Sequence, residues 1–423
     1  MQLTIDKFKQ HQVLYVNILF TIFCVFSTLA IGFEFVWYLM WLIVPIFMPT
    51  DKSIHCIMYM SLYMRVTYSV ELFSSIICLS IFIVLIKELI YLNKNKLINK
   101  YFKIIIFYLI LIIFPLFYSI ILNKCINISF IYYLNVVNFL FLFYLLKNKL
   151  NYNIILTYSY GIITASVLSF VMYGAGLYHF PFHAGGRFCA FSPVCNTLGA
   201  SCAICIASIY VLWLNKKLKS SHTLLLITAL SLIGIITFSK TFFIIFSITL
   251  LTIFINQFKN CKNKKRLLTI CLFALIILSP FILYYGVIMF ERFFGDTSYS
   301  NIIDRLTTGR LDKWIIYIKP WAKNLYSILF GLGFGYDYNT IFSSHSFYVG
   351  YLSKMGIIGF AILLLFVYST VLRKNNGNFK LKYLPIILIL LICIVEDLSY
   401  NTFNFIPFAL ATICINQHTD TQI

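Results

Sequence analysis

The sequence predicts an all-α polytopic integral membrane protein: a single transmembrane domain over residues 1–423 with roughly 12 or 13 transmembrane helices. Two features of the composition predict this class. Hydrophobic residues make up 61% of the chain and charged residues only 11%, whereas about a quarter of the residues of an ordinary soluble protein are charged. The apolar residues also come in blocks near the length of about 20 residues that a helix needs to cross a bilayer. So few charges cannot cover a soluble surface, which excludes a soluble enzyme or a nucleic-acid-binding domain.

The excess of positive charge indicates which way the helices run. The chain has 33 Lys and Arg residues against 13 Asp and Glu residues, a net charge of +20. Lys and Arg collect in the cytoplasmic loops of membrane proteins, so we expect each basic cluster to be cytoplasmic. The clusters are Lys94, Lys96, Lys100 and Lys103; Lys147 and Lys149; Lys216, Lys217 and Lys219; Lys259, Lys262, Lys264, Lys265 and Arg266; and Arg373, Lys374, Lys380 and Lys382.

The apolar segments between the clusters agree with that assignment, because two of them separate each cluster from the next. We predict helices near residues 68–88, 104–123, 127–146, 153–172, 197–215, 222–238, 241–257, 267–289, 346–370, 383–398 and 403–416. The stretch 13–48 could form one long tilted crossing or two short ones broken around Gly32 and Glu34. The sequence leaves the side of the N-terminus open, and we expect no cleavable signal peptide.

Two connections on the outer side are longer than simple turns. They cover residues 173–196 and residues 290–345, and long loops in compact proteins are often functional. The second connection carries apolar and basic residues at helical spacing, which predicts an amphipathic helix at the membrane surface or a helix that caps the bundle. These residues are Arg310, Lys313, Trp314, Ile315, Tyr317, Ile318, Lys319 and Trp321.

Most of the 12 cysteines lie in apolar segments, where a cysteine behaves as a small hydrophobic residue. Cys202 and Cys205 form a CxxC pair without a second pair, so we expect no metal site. Cys189 and Cys195 share the first outer connection and could form a disulfide in an oxidising compartment.

A GxGxG segment lies in the second outer connection at Gly331, Gly333 and Gly335. It is not followed by the Lys-Ser/Thr of a nucleotide-binding loop and is expected on the side away from ATP. A tight backbone turn is therefore its expected role, and we expect no nucleotide cofactor.

Several charged residues are expected at the outer ends of helices or in the outer connections. The positive-inside rule disfavours cations on that side. They are Arg187, Lys240, Arg292, Arg305 and Arg310, with His345, Glu396 and Asp397 beside them, and Arg65 could also lie outside. Any one of them could pair with a lipid head group or a neighbour. As a group around a histidine, the cations favour an anion site, because the planar fork of arginine binds phosphate oxygens through two hydrogen bonds.

Four segments of the chain resemble the O-antigen polymerase and ligase family. His345-Ser346, nine residues and then Gly356-Ile357-Ile358-Gly359 resemble its H-[N/S/Q]-x9-G-x-x-G pattern. The segment from Arg187 to Asn196 resembles its R…F…P-x-x-N segment, and Thr237 to Thr241 resembles T-x-S-R with Lys240 in place of the arginine. Arg310 to Trp314 followed by Phe330 to Gly333 resembles R-x3-W…G-x-G. The resemblance covers roughly residues 150–370, and lysine at 240 keeps the charge but loses the fork.

The resemblance implies a GT-C-like glycosyltransferase in the bacterial inner membrane, with its active site facing the periplasm. It implies an O-antigen polymerase that joins oligosaccharide repeat units carried on undecaprenyl pyrophosphate, which serve as both donor and acceptor. Membrane lipids and a chain-length regulator protein are the other implied partners. No nucleic acid, cofactor or metal is expected.

The same resemblance implies a role for each outer charged residue. His345, Arg310 and Arg187 are the expected catalytic residues. Lys240, Arg305, Arg292, Glu396 and Asp397 are expected in the substrate and pyrophosphate site, where the two carboxylates could orient His345 or an arginine. The ordinary pKa of histidine, about 6.5, suits His345 as a general base or as a contact that shares a proton with phosphate.

Two alternatives remain open at this point. An O-antigen ligase shares these motifs and transfers the polymer to the lipid A core. A flippase or other transporter of the lipid-linked sugar belongs to a different class, and polar residues in the middle of helices or two related halves would favour it.

Overall fold

The structure is a computed structural model, and it describes most of the chain as helices. The described residues are 2–29, 34–63, 70–123, 128–146, 149–179, 181–183, 186–192, 194–261, 263–265, 268–269, 272, 279, 283–291, 309–333, 345–369, 380–396 and 402–416.

The helices divide at the first long connection. Before it lie α1 (Gln2–Leu29), α2 (Glu34–Phe47), α3 (Thr50–Met60), α4 (Val70–Lys94), α5 (Ile98–Asn123), α6 (Ile128–Leu146) and α7 (Asn153–Gly174). The connection itself contains two short antiparallel strands, β1 (Phe182–His183) and β2 (Arg187–Phe188). After it lie α8 (Cys195–Leu214), α9 (Ser220–Ile236), α10 (Lys240–Asn260), α11 (Arg310–Trp321), α12 (Leu325–Phe330), α13 (Phe347–Val367), a 3-10 turn (Lys380–Tyr383), α14 (Leu384–Val395) and α15 (Thr402–Asn416).

Six helices of the described residues are long and apolar enough to cross a membrane. They contain His11–Thr28, Ser75–Lys94, Asn153–Gly174, Cys195–Leu214, Lys240–Asn260 and Phe347–Val367. Shorter apolar helices lie at Phe35–Phe47, Tyr133–Leu146, Ser220–Ile236 and Leu381–Ile394. The class predicted from the composition is therefore confirmed: the chain is an all-α, multi-pass membrane protein.

Most predicted helices lie within a few residues of their expected bounds, as α7, α8 and α15 show. The stretch 13–48 contains two helices, α1 and α2, so the broken alternative is the correct one. The sequence pattern does not predict α3, because Asp51, Lys52 and His55 lower its hydropathy. The predicted helix at 267–289 lies largely outside the described residues.

α8 is the central helix of the bundle. Nearly all its side chains from Cys195 to Leu212 are buried, and α7, α9, α10, α14 and α15 pack around it. Small residues permit this close approach: a side chain at Gly199 would lie 2.8 Å from Ser239 Cβ of α10. Small residues at helix interfaces are typical of membrane bundles, where packing replaces the hydrophobic effect between helices.

A buried ion pair ties the N-terminal helices together at one end of the bundle. Glu88 of α4 is 1% exposed and accepts from Lys149 Nζ at 2.7 Å. Thr50 Oγ1 donates to the other carboxylate oxygen of Glu88 at 3.1 Å, and Lys149 Nζ also lies 3.8 Å from the ring centre of Tyr91. The charge of Lys149, expected only to mark a cytoplasmic loop, therefore also pairs with a buried carboxylate.

Candidate functional site

The candidate site lies where α7 and α14 end and α8, α10, α11 and α13 begin, which we call the site end. Its first side chain, Arg187, is positioned by a hairpin. β1 pairs with β2 so that His183 lies opposite Arg187, and Cys189 N donates to Pro181 O at 2.7 Å. Cys189 and Cys195 are joined in a disulfide, which closes the loop between Arg187 and α8.

Asn196, the second residue of α8, connects Arg187 to a carboxylate. Arg187 Nη2 donates to Asn196 Oδ1 at 2.6 Å, and Asn196 Nδ2 donates to Glu396 Oε1 at 3.0 Å. Because arginine can only donate and an ionised carboxylate can only accept, the two neighbours fix the orientation of the amide. Arg187 Nε also donates to the carbonyl oxygen of Thr237 at 3.4 Å, so the guanidinium is held from two sides.

Glu396, the residue that ends α14, is the point at which four helices meet. Besides the bond from Asn196, its Oε1 accepts from Thr241 Oγ1 of α10 at 3.4 Å and from Arg310 Nη2 of α11 at 3.4 Å. The ion pair of Arg310 and Glu396 is largely buried, with side chains 13% and 14% exposed. Burial raises the pKa of Glu396 above its ordinary value, and Arg310 and the other donors oppose that rise.

The backbone of Glu396 also holds the start of α13. Phe347 N donates to Glu396 O at 3.1 Å, and Ser346 Oγ donates to Cys393 O at 3.4 Å. Ser346 caps α13, since its hydroxyl accepts from Val349 N. His345 therefore directly precedes the residue that caps α13.

Three residues at the site end adopt left-handed backbone conformations that cost a residue with a side chain about 1–2 kcal/mol each. They are Ala190 with φ of 52°, Phe238 with φ of 48° and His345 with φ of 49°. Phe238 and His345 occupy equivalent places, because each directly precedes a serine that caps a helix, Ser239 for α10 and Ser346 for α13. Strained backbone of this kind is characteristic of functional sites.

His345 lies in a buried and positively charged environment. Its pKa is lowered from 6.5 to about 4, mainly by burial and also by the positive charges of Lys313 and Arg310. The expectation of an ordinary histidine pKa is therefore wrong. The physical reason is that the first turn of α11 places two cations near a partly desolvated imidazole.

Three further cations of the described site are partly buried: Lys240, Lys313 and Arg187. Lys240 is the first residue of α10. Burial also lowers the pKa of Lys313 and of Arg187, and Glu396 opposes the shift of Arg187. The predicted site residues Arg292, Arg305 and Asp397, and also Arg65, lie outside the described residues.

The G-x-G motif at Gly331 and Gly333 contacts the G-x-x-G motif at Gly356 and Gly359. α13 is broken at Gly356, where φ is 65° and ψ is −176°. Just before the break, the carbonyl oxygens of Ser353 and Lys354 accept from Leu332 N at 2.7 Å and from Gly333 N at 3.0 Å. The expected backbone turn at Gly331 and Gly333 is confirmed, with φ of 84° and 79°, and its function is to bind the broken helix.

Comparisons with protein-family models, curated proteins and solved structures give no match to this chain. The resemblance to the O-antigen polymerase and ligase family therefore stays a prediction. Within the described residues, no group of three or more His, Cys, Asp or Glu side chains could hold a metal ion.

The structure brings together Arg187, Arg310, His345 and Glu396 of the predicted site residues, and it adds three that the sequence did not single out. Asn196 and Thr241 lie inside the resembling segments, and each is the second residue of its helix. Nothing local in the sequence shows that both contact a carboxylate near the C-terminus. Lys313 was noted only as part of an amphipathic helix. Its effect on His345 depends on how α11 packs.

Proposed function

We propose that the protein is a glycosyltransferase that joins oligosaccharide repeat units carried on a polyprenyl pyrophosphate, as an O-antigen polymerase does. The observation that carries this proposal is the network of Arg187, Asn196, Glu396 and Arg310 beside His345. Among the described residues of this network, Arg187, Arg310 and Lys313 carry three positive charges and Glu396 carries one negative charge. A pyrophosphate is the kind of anion that such a surplus of fixed cations attracts.

The helix directions support an anion site in the same place. α8, α10, α11 and α13 begin at the site end, and the positive ends of their backbone dipoles favour negative charge there. A guanidinium has five N–H donors, and the contact between Arg310 and Glu396 uses one of them. Glu396 would repel a pyrophosphate, so we assign it the positioning of Arg310 and not a contact with substrate.

The proposed reaction uses these groups in separate roles. The oxygen of an acceptor hydroxyl forms a bond to the anomeric carbon of the donor sugar, and the bond from that carbon to the pyrophosphate oxygen breaks. The electron pair stays on the departing pyrophosphate, whose added charge Arg310 and Arg187 stabilise. The hydroxyl proton passes to the neutral imidazole of His345.

The purified protein tests this proposal directly. We expect it to convert synthetic polyprenyl-pyrophosphate-linked repeat units into longer saccharides with release of polyprenyl pyrophosphate, without added ATP, in a gel or mass-spectrometric assay. Movement of intact lipid-linked units across a vesicle membrane without any new glycosidic bond would contradict the proposal and favour a transporter. Deletion of the gene separates polymerase from ligase: loss of a polymerase leaves one repeat unit on the core, and loss of a ligase leaves bare core.

The lowered pKa of His345 predicts an unusual pH dependence. In the free protein the imidazole, with a pKa of about 4, is neutral at and above about pH 5. A bound pyrophosphate is an anion, so it raises the pKa of His345. At a given acidic pH, a larger fraction of the imidazole is therefore protonated in the complex than in the free protein. We therefore expect the acid limb of kcat at a higher pH than the acid limb of kcat/KM.

Initial rates of donor consumption at saturating and limiting donor, measured from about pH 3.5 to pH 8, check this expectation. His179→Gln, a change at an exposed histidine of the same end, serves as the control and should move neither limb. An acid limb of kcat/KM at the ordinary histidine value of 6.5 would contradict a base with a lowered pKa at His345.

A further inference from the structure

A cavity of about 850 Å³ lies at the end of the bundle opposite the candidate site. It is lined by α1, α3 and α7, and it extends along α7 from Asn153, the first residue of that helix, to Thr164. The site end begins beyond the other end of α7, at Gly174. The cavity is therefore separate from the network around Glu396.

Polar side chains at helical spacing line the cavity on all three helices. They are His11, Asn17 and Thr21 on α1; Asp51, Lys52, His55 and Tyr59 on α3; and Asn153, Thr157, Tyr160 and Thr164 on α7. Residues three or four positions apart share one face of a helix, so each helix turns a polar stripe toward the same space. Polar residues inside a membrane helix are costly, and by default they indicate a functional site.

Most of these hydroxyl protons are already used within the wall. The threonine hydroxyls of Thr21, Thr157 and Thr164 donate to the carbonyl oxygens four residues earlier, at 2.8, 2.9 and 2.8 Å. Such hydroxyls offer lone pairs to a neighbour, as Thr21 does to Tyr59 at 3.0 Å. Thr157 Oγ1 likewise lies 3.0 Å from His55 Nδ1, and Thr164 Oγ1 accepts from Tyr63 Oη at 3.0 Å. These threonine hydroxyls therefore face other groups as acceptors and not as donors.

Asn17 gives a second and independent indication. It is 7% exposed, and its Oδ1 accepts no hydrogen bond in the described structure. Leaving such an acceptor unsatisfied costs about 1–3 kcal/mol, and a turn of the buried amide toward the cavity would let it accept from a ligand that carries hydroxyl donors.

The charge and the opening of the cavity restrict the ligand further. Asp51 and Lys52 line it together, so the carboxylate and the ammonium cancel, and a head group without net charge fits best. Leu14, Ile18 and Ile22 line the same cavity and are exposed on α1. The entrance is therefore bordered by apolar side chains, as suits the acyl chains of a lipid.

We propose that this cavity binds a membrane lipid whose head group is neutral and carries several hydroxyls, such as a sugar. The hydroxyls donate to the acceptors of the wall, Asn17 Oδ1 among them, and the acyl chains lie along the apolar border formed by α1. This site is independent of the proposed glycosyl transfer, because none of its residues belongs to the network around Glu396.

Lipid binding to the purified full chain, in a detergent without a sugar head group, tests the proposal by native mass spectrometry. The probes are monoglucosyl diacylglycerol, phosphatidylcholine and phosphatidylglycerol with the same acyl chains. We expect one copy of the glucosyl lipid to bind about tenfold more tightly than phosphatidylcholine, whose head group has no donor. Phosphatidylglycerol, which has hydroxyls but a negative charge, should also bind less tightly. Equal affinity for the three lipids, or a preference for either phospholipid, overturns the proposal.

Two variants place the binding in this cavity. Asn17→Leu removes the acceptor and should reduce the preference for the glucosyl lipid. Ile18→Trp fills the entrance and should reduce binding of the glucosyl lipid without removing any polar group of the wall. The matched control is Ile244→Trp on α10, because Ile244 is 49% exposed and Ile18 is 47% exposed. Glucosyl-lipid binding that Ile18→Trp and Ile244→Trp affect equally would place the lipid elsewhere on the bundle. The comparison of lipids on the unaltered chain decides the head-group chemistry even if a variant fails to fold.

Discussion

Replacement of Arg310 by alanine should abolish polymer formation, and removal of the Glu396 carboxylate from the same chain should not restore it. The structure gives Arg310 two separable functions. One is to neutralise Glu396, a largely buried carboxylate that it contacts at 3.4 Å. The other, which we propose, is to stabilise the departing pyrophosphate. Loss of a preorganised donor of this kind costs about 10²–10³ in kcat.

The double variant Arg310→Ala with Glu396→Gln separates these functions. Arg310→Ala alone leaves a largely buried charge without its partner, which in a fully buried pair costs about 3–5 kcal/mol of stability. In the double variant that unpaired charge is absent, so the temperature of unfolding should recover toward the wild type while the rate stays low. Recovery of both the stability and the rate would show that Arg310 serves only Glu396, and would exclude it from the pyrophosphate site.

The measurements are the polysaccharide ladder in cells and the initial rate of the purified protein, each compared at equal amounts of inserted protein. Lys319→Ala is the matched control, since Lys319 is an exposed cation in the last turn of the same helix. Arg310→Lys should fall between wild type and alanine, because lysine keeps the charge and loses the fork that binds two phosphate oxygens.

We also expect His345→Ala to abolish the polysaccharide ladder while the protein still inserts normally. Here the backbone adds a complication, because His345 has φ of 49° and alanine tolerates that conformation less well than asparagine does. His345→Asn is therefore the better variant: it relieves the strain and removes the base. A wild-type ladder in both His345→Asn and Arg310→Ala would show that the assigned site is wrong.

Hydropathy and basic clusters were sufficient to predict the class and most of the helices, because both signals are local in sequence. α8 and α15 lie within a few residues of their predicted bounds for that reason. α3 was missed because Asp51 and His55 belong to a polar stripe that faces a cavity, and a hydropathy window cannot distinguish such a stripe from a loop. Only the packing of three helices explains it.

The residues of the candidate site could be found from the sequence, but their contacts could not. Arg187, Arg310 and Glu396 stood out as charges that the basic clusters predict on the outer side, where cations are disfavoured. That Asn196 contacts Glu396 across 200 positions of the chain depends on the packing of α14 against α8. The low pKa of His345 has the same origin, since it needs the cations of α11 beside a buried ring. Local patterns identify such side chains but carry no distances between them.

Gly356→Ala is the second change for which we expect a large effect, in this case on the fold around the site. With φ of 65° and ψ of −176°, Gly356 occupies a region that is essentially restricted to glycine and costs other residues about 1–3 kcal/mol. A methyl group there would also lie 2.2 Å from the carbonyl oxygen of Leu329 and 2.5 Å from Phe330 N. Both are backbone atoms of α12, so no side-chain rotation relieves the overlap.

The Gly356→Ala change should disturb the candidate site because it breaks two hydrogen bonds between α13 and the turn that follows α12. To accept the methyl group, α12 must move away from α13, and the bonds from Leu332 N to Ser353 O and from Gly333 N to Lys354 O are then lost. We expect a loss of about 3 kcal/mol or more in the free energy of unfolding, or failure of the protein to accumulate. Thermal unfolding in detergent and the initial rate should fall together.

Gly174→Ala is the matched control for Gly356→Ala, because Gly174 ends α7 near the same end of the bundle and a side chain there meets nothing within 4 Å. We expect its stability to stay within about 0.5 kcal/mol of the wild type. If Gly356→Ala lost activity at an unchanged temperature of unfolding, Gly356 would act by contact with substrate and not by shaping the helix. Its spacing from His345 would then mark a second substrate contact. In the structure, the number of residues between His345 and Gly356 equals the length of helix from the cap at Ser346 to the break at which α12 packs.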